Sequence, residues 1–517
     1  MKDLLLAIDA GGTALKVVLF DAGGTLVAEE EAALETVHHP DGRVERDADG
    51  FWGASVEAVR RITARVDPAR IAAVGVTGFG NGIFMVDGNG RQTRPGIVSV
   101  DQRAKPIVDA IEAGGDARAI EDVTGHRIWG GQTLFQILNA VRAEPAVMER
   151  TRWALACKDF LRLRLTGEAF TDPTDASGGG LMNVARGRYA REVFARLGMA
   201  GIEEKLPPIA ECGAVAGRIS PAAAGETGLP AGTPVAGSAM DVAAAALGCG
   251  VASGDRIVMI AGTWSINGIE SRGPDGARPP VLNMLHRDRS TRFLAEGSPT
   301  SASNLAWFMR GAAGGALTVG EVNDLVAAAP VAGRRCQFLP FVMGPRPRMG
   351  AFLGLGPADD RGTMLRALFE GVAFQHRVHA EEVLAHDSRA LPSAIRLAGG
   401  AARSPVWPQV FADACGLPVE VSAAAEVGAL GAAICAAVAA GIHPTLTDAV
   451  AAMARVGRRF RPDPPAVVAL EARYQEFLRL DRRCADLFAE HRDEPGTHRD
   501  RQDGAAPAEA VGPRTIT

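Results

Sequence analysis

The chain has 517 residues, a net charge of −5, 47% apolar and 22% charged residues. That length exceeds what one ordinary core organises, so two large domains or more are expected. The composition is that of a soluble globular protein, and the mildly acidic balance offers no basic field for a nucleic-acid backbone.

The first apolar run, residues 4–8, ends at Asp9 and is too short for a signal h-region. Residues 4–9 and 15–20 read as two strands joined by the turn Ala10-Gly-Gly-Thr-Ala14, and Asp21-Ala-Gly-Gly24 as the next turn of an antiparallel meander. Residues 51–66 carry helical spacing, with Val56, Val59, Ile62 and Val66 on one face. Residues 71–77 form a further strand candidate that runs into Gly78-Phe-Gly-Asn-Gly82. A meander followed by alternating helix and strand predicts a mixed sheet with helices on its faces.

Residues 234–241 read as a strand running into a helix of small residues over 242–247. Residues 254–260 then form a strand that enters Ala261-Gly-Thr-Trp-Ser265, so the chain midpoint repeats the opening Gly-Thr turn and hints at duplication. Residues 413–442 read as a packed Ala/Gly-rich helical region. Its stretch 428–442 is 15 residues long, which suits a buried helix better than a membrane span. A charged helix fits 466–490, and the polar segment 491–517 reads as a disordered tail. The seven cysteines are scattered, odd in number and without a CxxC pair, as expected of reduced thiols in a cytoplasmic protein.

Three His-Arg-Asp triplets, at 286–288, 491–493 and 498–500, invite a protein-kinase reading. The Asn which that mechanism needs five residues later is replaced by Phe293, His498 and Ala505. None of the five lysines follows a glycine, which excludes a GxxxxGK[ST] phosphate loop. Gly248-Cys-Gly-Val-Ala-Ser253 is a damaged GxGxxG, better read as close packing than as a dinucleotide site.

Asp9 at a strand end must find a partner or neutralise if buried. The glycines beside it allow backbone amides to approach an anion. Magnesium on nucleotide phosphates satisfies such a carboxylate, and so do turn amides of an ordinary hairpin. Asp241 stands at a helix start, where the dipole favours an ionised carboxylate available as a proton acceptor, or where it serves as a plain N-cap. Ala261-Gly-Thr-Trp-Ser265 and Gly399-Gly-Ala-Ala-Arg-Ser404 add two small-residue turns after strands.

This set, with Val100-Asp-Gln-Arg-Ala104 and Gly237-Ser-Ala-Met-Asp241, resembles the FGGY carbohydrate kinases in order and spacing from about residue 4 to about residue 485. The resemblance implies an α/β fold of two actin-like (ribonuclease H-like) domains with a cleft between them: residues 1–247 for sugar and the first phosphate turn, residues 248–490 for ATP. It implies ATP and Mg²⁺ as cofactors, no nucleic-acid or membrane partner, and a possible homodimer. Asp241 becomes the catalytic base and Asp9 the metal anchor. Gly11, Gly12, Thr13, Gly262 and Thr263 cradle phosphates, and Gly399, Gly400 and Ser404 border the nucleoside. Gly80, Asn81, Asp101, Arg103 and Trp129 face the sugar; for Arg103 a structural salt bridge and for Trp129 a core position are the alternatives. Lys16 either reaches phosphate or is a solvated strand-end lysine. Within the family the likeness is greatest to bacterial L-xylulose kinases, through Ser99, Ile128-Trp-Gly-Gly131 and the segment 298–308. The turn 77–82 lacks the Gln of that branch, which leaves D-xylulose, ribulose, 3-keto-L-gulonate, glycerol or erythritol as other substrates, and a non-catalytic sugar sensor as another class.

Overall fold

The computed structural model describes residues 2–276, 278–311, 315, 317–344 and 348–490; the expected tail lies outside the described residues. Two mixed sheets dominate. The first contains β1 (Leu4–Ala10), β2 (Ala14–Asp21), β3 (Leu26–Ala33), β4 (Ile71–Gly78), β5 (Val215–Arg218) and β6 (Pro234–Ala236), in the order β5-β6-β4-β1-β2-β3. The second contains β7 (Arg256–Ala261), β8 (Ser265–Ser271), β9 (Leu282–Leu285), β10 (Arg292–Ser298), β11 (Ala394–Ala398), β12 (Val419–Ser422) and β13 (Val456–Phe460), in the order β9-β10-β8-β7-β11-β12-β13.

Both sheets begin with an antiparallel hairpin and then place a later strand parallel to the first: β1 pairs β2 and β4, and β7 pairs β8 and β11. The next parallel neighbours are β6 and β12. The repeated Gly-Thr turn therefore marks a real duplication of topology. Gly11 N–H bonds Ala14 O at 2.9 Å in the first turn, and Gly262 N–H bonds Trp264 O at 3.3 Å in the second. Strand β1 is apolar and buried nearly throughout because both faces of its sheet are covered. Strand β3 is an outer strand and alternates exposed and half-buried positions, with Glu29, Glu30 and Glu31 at its centre.

Helix α1 (Ala48–Thr63) starts where the side chain of Asp47 accepts from Gly50 N–H, three residues ahead of the sequence expectation. Helix α2 (Asp241–Gly248) begins at Asp241 itself, with Met240 as its N-cap. Helix α3 (Arg361–Leu384) crosses the second half, α4 (Val427–Ala439) is buried through its middle, and α5 (Pro464–Glu490) closes the described chain. The expected helical region 413–442 is corrected: a helix ends at Cys415, Gly416 takes φ 65°, and β12 precedes α4. Pro418 and the inward Val419 and Val421 favour the strand locally, and the Ala/Gly background hides them.

Helices α2 and α4 cross between the sheets within one apolar core that draws Leu5, Ala7 and Phe20 from the first sheet and Val258, Phe293 and Ala295 from the second. They approach at backbone distance. A Cβ on Gly431 would lie 1.9 Å from Ala244 O, one on Gly248 2.0 Å from Val427 O, and one on Gly75 2.1 Å from Ala432 O. No side chain fits these positions. Among the described residues, no helix is long and apolar enough to cross a membrane.

Gly431→Val should therefore lower the unfolding free energy by about 3 kcal/mol or more, beyond ordinary overpacking. Gly114→Ala, at an exposed helix end with open space around its Cα, should stay within about 0.5 kcal/mol of the parent. Urea midpoints of the two variants check the contrast.

Candidate active site

Asp241 is fixed by the loop that precedes it. Ser238 takes φ 63°, unusual for a residue with a side chain. It is held there by its N–H on Cys212 O at 2.7 Å and by its hydroxyl, which accepts Val76 N–H at 2.9 Å. Met240 N–H donates to Thr174 Oγ1 at 2.8 Å, and Thr174 donates to Asp172 Oδ1 at 2.5 Å. Asp172 belongs to a fully buried cluster with Lys158, whose Nζ lies 2.6 Å from Asp159 Oδ1 and 2.9 Å from Asp175 Oδ2. Burial opposes the Lys158 ammonium, yet the three carboxylates raise its pKa. Burial also pushes Asp175 up to about 8, against the pull of Lys158.

Two cavities meet at Asp241. The first, about 190 Å³, is lined by Gly80, Asn81, Ser99, Trp129, Trp264 and Glu296 besides Asp241. The second, about 460 Å³, is lined by Asp9, Gly399, Gly400, Arg403, Glu426 and Gly428 besides Asp241. Asp241, Val242 and Ile266 belong to both linings. The first volume is below the roughly 300–1,000 Å³ of drug-sized pockets and the second falls within it, so a small ligand and a larger one can adjoin across one carboxylate.

Asp241 Oδ1 accepts Val242 N–H at 2.7 Å. Burial, and then the neighbouring Asp9, raise its pKa to about 7. The sequence expectation of a plainly ionised group is thereby corrected: burial outweighs the helix dipole and the amides of Val242 and Gly80. Asp9 is raised to about 6, first by burial and then by Glu426, with Lys16 pulling it down. Lys16 itself lies 2.8 Å from Glu426 Oε2, and Arg403 lies 2.7 Å from Glu426 Oε1. Lys16 is thus neither a free strand-end lysine nor turned to open solvent. Among the described residues the Asp9 carboxylate accepts no hydrogen bond, and a Cβ on Gly428 would sit 2.4 Å from its Oδ2. A carboxylate without a hydrogen-bond donor, facing a cavity beside a side-chain-free wall, fits a small cation.

Gly80, Asn81 and Trp129 gather with Asp241 at the first cavity, and Asp9, Gly399 and Gly400 at the second. Gly399 needs to be glycine, because its φ is 82° and a Cβ would lie 2.7 Å from the Ala261 carbonyl. Gly11, Gly12, Thr13, Gly262 and Thr263 lie at the two hairpin turns, outside both linings, with Gly12, Thr13 and Thr263 exposed. They extend from β1 and β7, which contribute Asp9 and Ile260 to the second cavity. Ser404 is buried away from it: its hydroxyl donates to Asn323 Oδ1 at 2.7 Å and accepts Trp407 N–H at 3.0 Å.

Asp101 and Arg103 do not reach the sugar-sized cavity. Asp101 is fully buried and accepts Val44 N–H at 2.6 Å, and Arg103 grips it through Nε at 2.9 Å and Nη2 at 2.8 Å while holding Glu45 at 2.7 Å. The salt-bridge alternative for Arg103 describes this arrangement. Its effect is to pin the loop that presents Ser99 and Val100 to the cavity. Sequence reasoning missed Trp264, read only as part of a phosphate turn, although a 41% exposed tryptophan beside a hairpin tip has little packing role. It also missed Glu296 and Glu426, which no motif marks.

Sequence profiles of the FGGY family of carbohydrate kinases match the chain, the N-terminal domain over residues 4–248 and the C-terminal domain over residues 257–440. The chain belongs to this family. The FGGY chain is 30% identical over 481 residues to a probable L-xylulose kinase of Pasteurella multocida (strain Pm70), covering 92% of this chain and 98% of the relative. It is also 30% identical over 486 residues to the L-xylulose/3-keto-L-gulonate kinase of Escherichia coli (strain K12), covering 93% and 97%. The crystal structure of a gluconate kinase from Lactobacillus acidophilus shares the fold, with a TM-score of 0.86 at 22% identity over 94% of this chain and 99% of that one. The FGGY chain is an ATP-dependent carbohydrate kinase with the family's two-domain α/β fold.

Burial holds both cleft carboxyls of this kinase, Asp9 and Asp241, above the ordinary aspartate value. In the folded state these two groups therefore keep protons that the unfolded state releases, and the stability they contribute should fall as pH rises from about 4 through 7. Asp241→Asn should flatten that slope and raise stability at pH 8 by on the order of 2 kcal/mol, read from melting curves across pH. Arg103→Leu leaves Asp101 buried and unpaired, and should cost about 3–5 kcal/mol in a denaturant titration.

Proposed function

We propose that this kinase phosphorylates a primary hydroxyl of a small sugar, a ketopentose such as L-xylulose, with Asp241 as general base. The observation that carries the reading is the position of Asp241 on the shared wall of a small cavity and a larger one. A sugar in the first cavity puts a hydroxyl against the carboxylate, and ATP in the second brings its terminal phosphate from the other side. The names of the two relatives at 30% identity favour L-xylulose.

Within the first cavity, Asn81 Oδ1 is buried without a hydrogen-bond partner among the described residues, and Asn81 holds φ 61°. Such an orphaned acceptor suits a sugar hydroxyl. Trp129 and Trp264 offer aromatic faces from the two halves of the chain. In the second cavity, Gly399 and Gly400 allow the nucleotide to lie against backbone, while the exposed Gly12, Thr13 and Thr263 of the two hairpin turns offer amides and hydroxyls to phosphates.

Asp9 would hold Mg²⁺, which when bound would supply charge neutralisation for the phosphates. Asp241 raised to about 7 is matched to proton acceptance near neutral pH. Asp9 contributes to that elevation, so neutralising Asp9 lowers the pKa of Asp241 and increases its ionised fraction. The hydroxyl oxygen bonds to the terminal phosphorus, the bond to the ADP oxygen breaks, and the hydroxyl proton passes to Asp241. The remaining acceleration comes from alignment of the two substrates and exclusion of water.

A coupled ADP-release assay with Mg-ATP and a panel of ketopentoses, sugar acids and polyols should show turnover on a ketopentose. Asp241→Asn should lose about 10²–10⁴-fold in kcat with sugar KM little changed. Near-parental kcat in that variant removes Asp241 from the base role.

A further inference from the structure

We propose that the sugar cavity selects uncharged sugars over sugar acids, and that Glu296 sets this preference by occupying Arg127. The inference rests on the assignment of the first cavity to sugar and goes beyond it by naming the charge class of the ligand.

The lining carries two ionisable side chains, Asp241 and Glu296, both carboxylic acids; among the described residues no Lys, Arg or His lines it. The rest of the wall is aromatic or apolar, with Asn81 and Ser99 as neutral polar groups. Glu296 projects from β10 and is 3% exposed. Three donors surround it. Arg127 binds Oε2 through Nη2, His386 Nε2 lies 2.9 Å from Oε1, and Val281 N–H donates to Oε1 at 3.2 Å. Burial alone would raise its pKa, but His386 and Arg127 hold it below the ordinary value. Glu296 is therefore ionised across the working pH range.

Arg127 comes from the first half of the chain and reaches across to Glu296 in the second, spending its charge on that pair. A carboxylated sugar entering the cavity meets two acids and, among the described residues, no cation in the lining to pair with it. An anion so placed loses its hydration without compensation and is repelled by its neighbours. A neutral polyol meets hydroxyl-sized acceptors in Asn81, Ser99, Asp241 and Glu296, and its C–H faces meet Trp129 and Trp264. Discrimination by unpaired buried charge is of the kind that separates close analogues by large factors.

The substitution Glu296→Gln keeps the shape of the side chain and releases Arg127 towards the cavity. It should narrow the preference or reverse it, because a carboxylate ligand then replaces the lost partner.

The test uses matched pairs that differ only by CH₂OH against COO⁻, xylitol against xylonate and erythritol against erythronate, together with L-xylulose against 3-keto-L-gulonate. Affinities for the purified full chain are measured by calorimetry without ATP, and kcat/KM with Mg-ATP. Neutral members should bind at least about 100-fold more tightly than their acids, and Glu296→Gln should shift the ratio at least 10-fold towards the acids. Arg127→Met should shift it further towards the neutral members, which a general loss of folding would not do. Acids that bind the parent chain as tightly as their neutral partners overturn the inference, as does a ratio that Glu296→Gln leaves unmoved, or a chain that binds neither class. Selective binding without any turnover instead overturns the kinase chemistry assigned to Asp241 and leaves the charge selection standing. Turnover of an acid at the neutral rate does the reverse.

Discussion

The crossing of α2 and α4 at backbone distance is the constraint from which the cleft follows. Gly431 against Ala244, and Gly248 against Val427, let two helices from opposite halves of the sequence share one thin layer between the sheets. Asp241 opens one of these helices, and Glu426 and Gly428 stand at the start of the other. The two helix starts are therefore brought to the same cavity, with Asp9 at the end of β1 facing them. Larger residues at the crossing would separate the sheets and pull these groups apart. The small-residue composition of 241–248 and 427–439 is thus the condition for the site, and only secondarily a matter of helix propensity.

Placing acids so close has an electrostatic cost that the fold tolerates because the groups face cavities. Asp9 adds to the burden of Asp241, and Glu426 adds to that of Asp9 while taking up Lys16 and Arg403. Glu296 repeats the pattern on the sugar side with Arg127 and His386 as partners. Lys16, Arg403 and Arg127 are thus already committed to glutamates, and the aspartates are left for ligands.

Much of this was legible in the sequence, and the reasons differ by element. The meander, the strand 71–77 and the Gly-Thr turns announced themselves because apolar runs ended in residues with few conformational alternatives. Asp9 and Asp241 could be found because a carboxylate at the end of a buried run demands an explanation. The fate of Asp101 and Arg103 could not be read in the same way. Their spacing is equally consistent with a sugar contact and with a buried pair, and Glu45, which decides the matter, lies over 50 residues away in sequence. Strand β12 was hidden by its helical flanks. Glu296 was invisible because a glutamate within a strand acquires meaning only from Arg127 and His386, brought to it by tertiary packing.

The cluster beneath Thr174 carries a thermodynamic consequence. Lys158 and Arg162 bring two positive charges into a dry interior that holds three acids, Asp159, Asp172 and Asp175, and burial raises the pKa of Asp175, so that the third acid, left without a cation of its own, keeps a proton near neutrality. An unfolded chain cannot keep it. Melting near pH 7 therefore liberates hydrogen ions to the solvent, and the buffer takes them up. The heat absorbed in a calorimeter then depends on the buffer chosen: a weakly ionising phosphate solution and a strongly ionising amine solution give different apparent enthalpies for the same transition, and their difference counts the protons that the folded kinase stores.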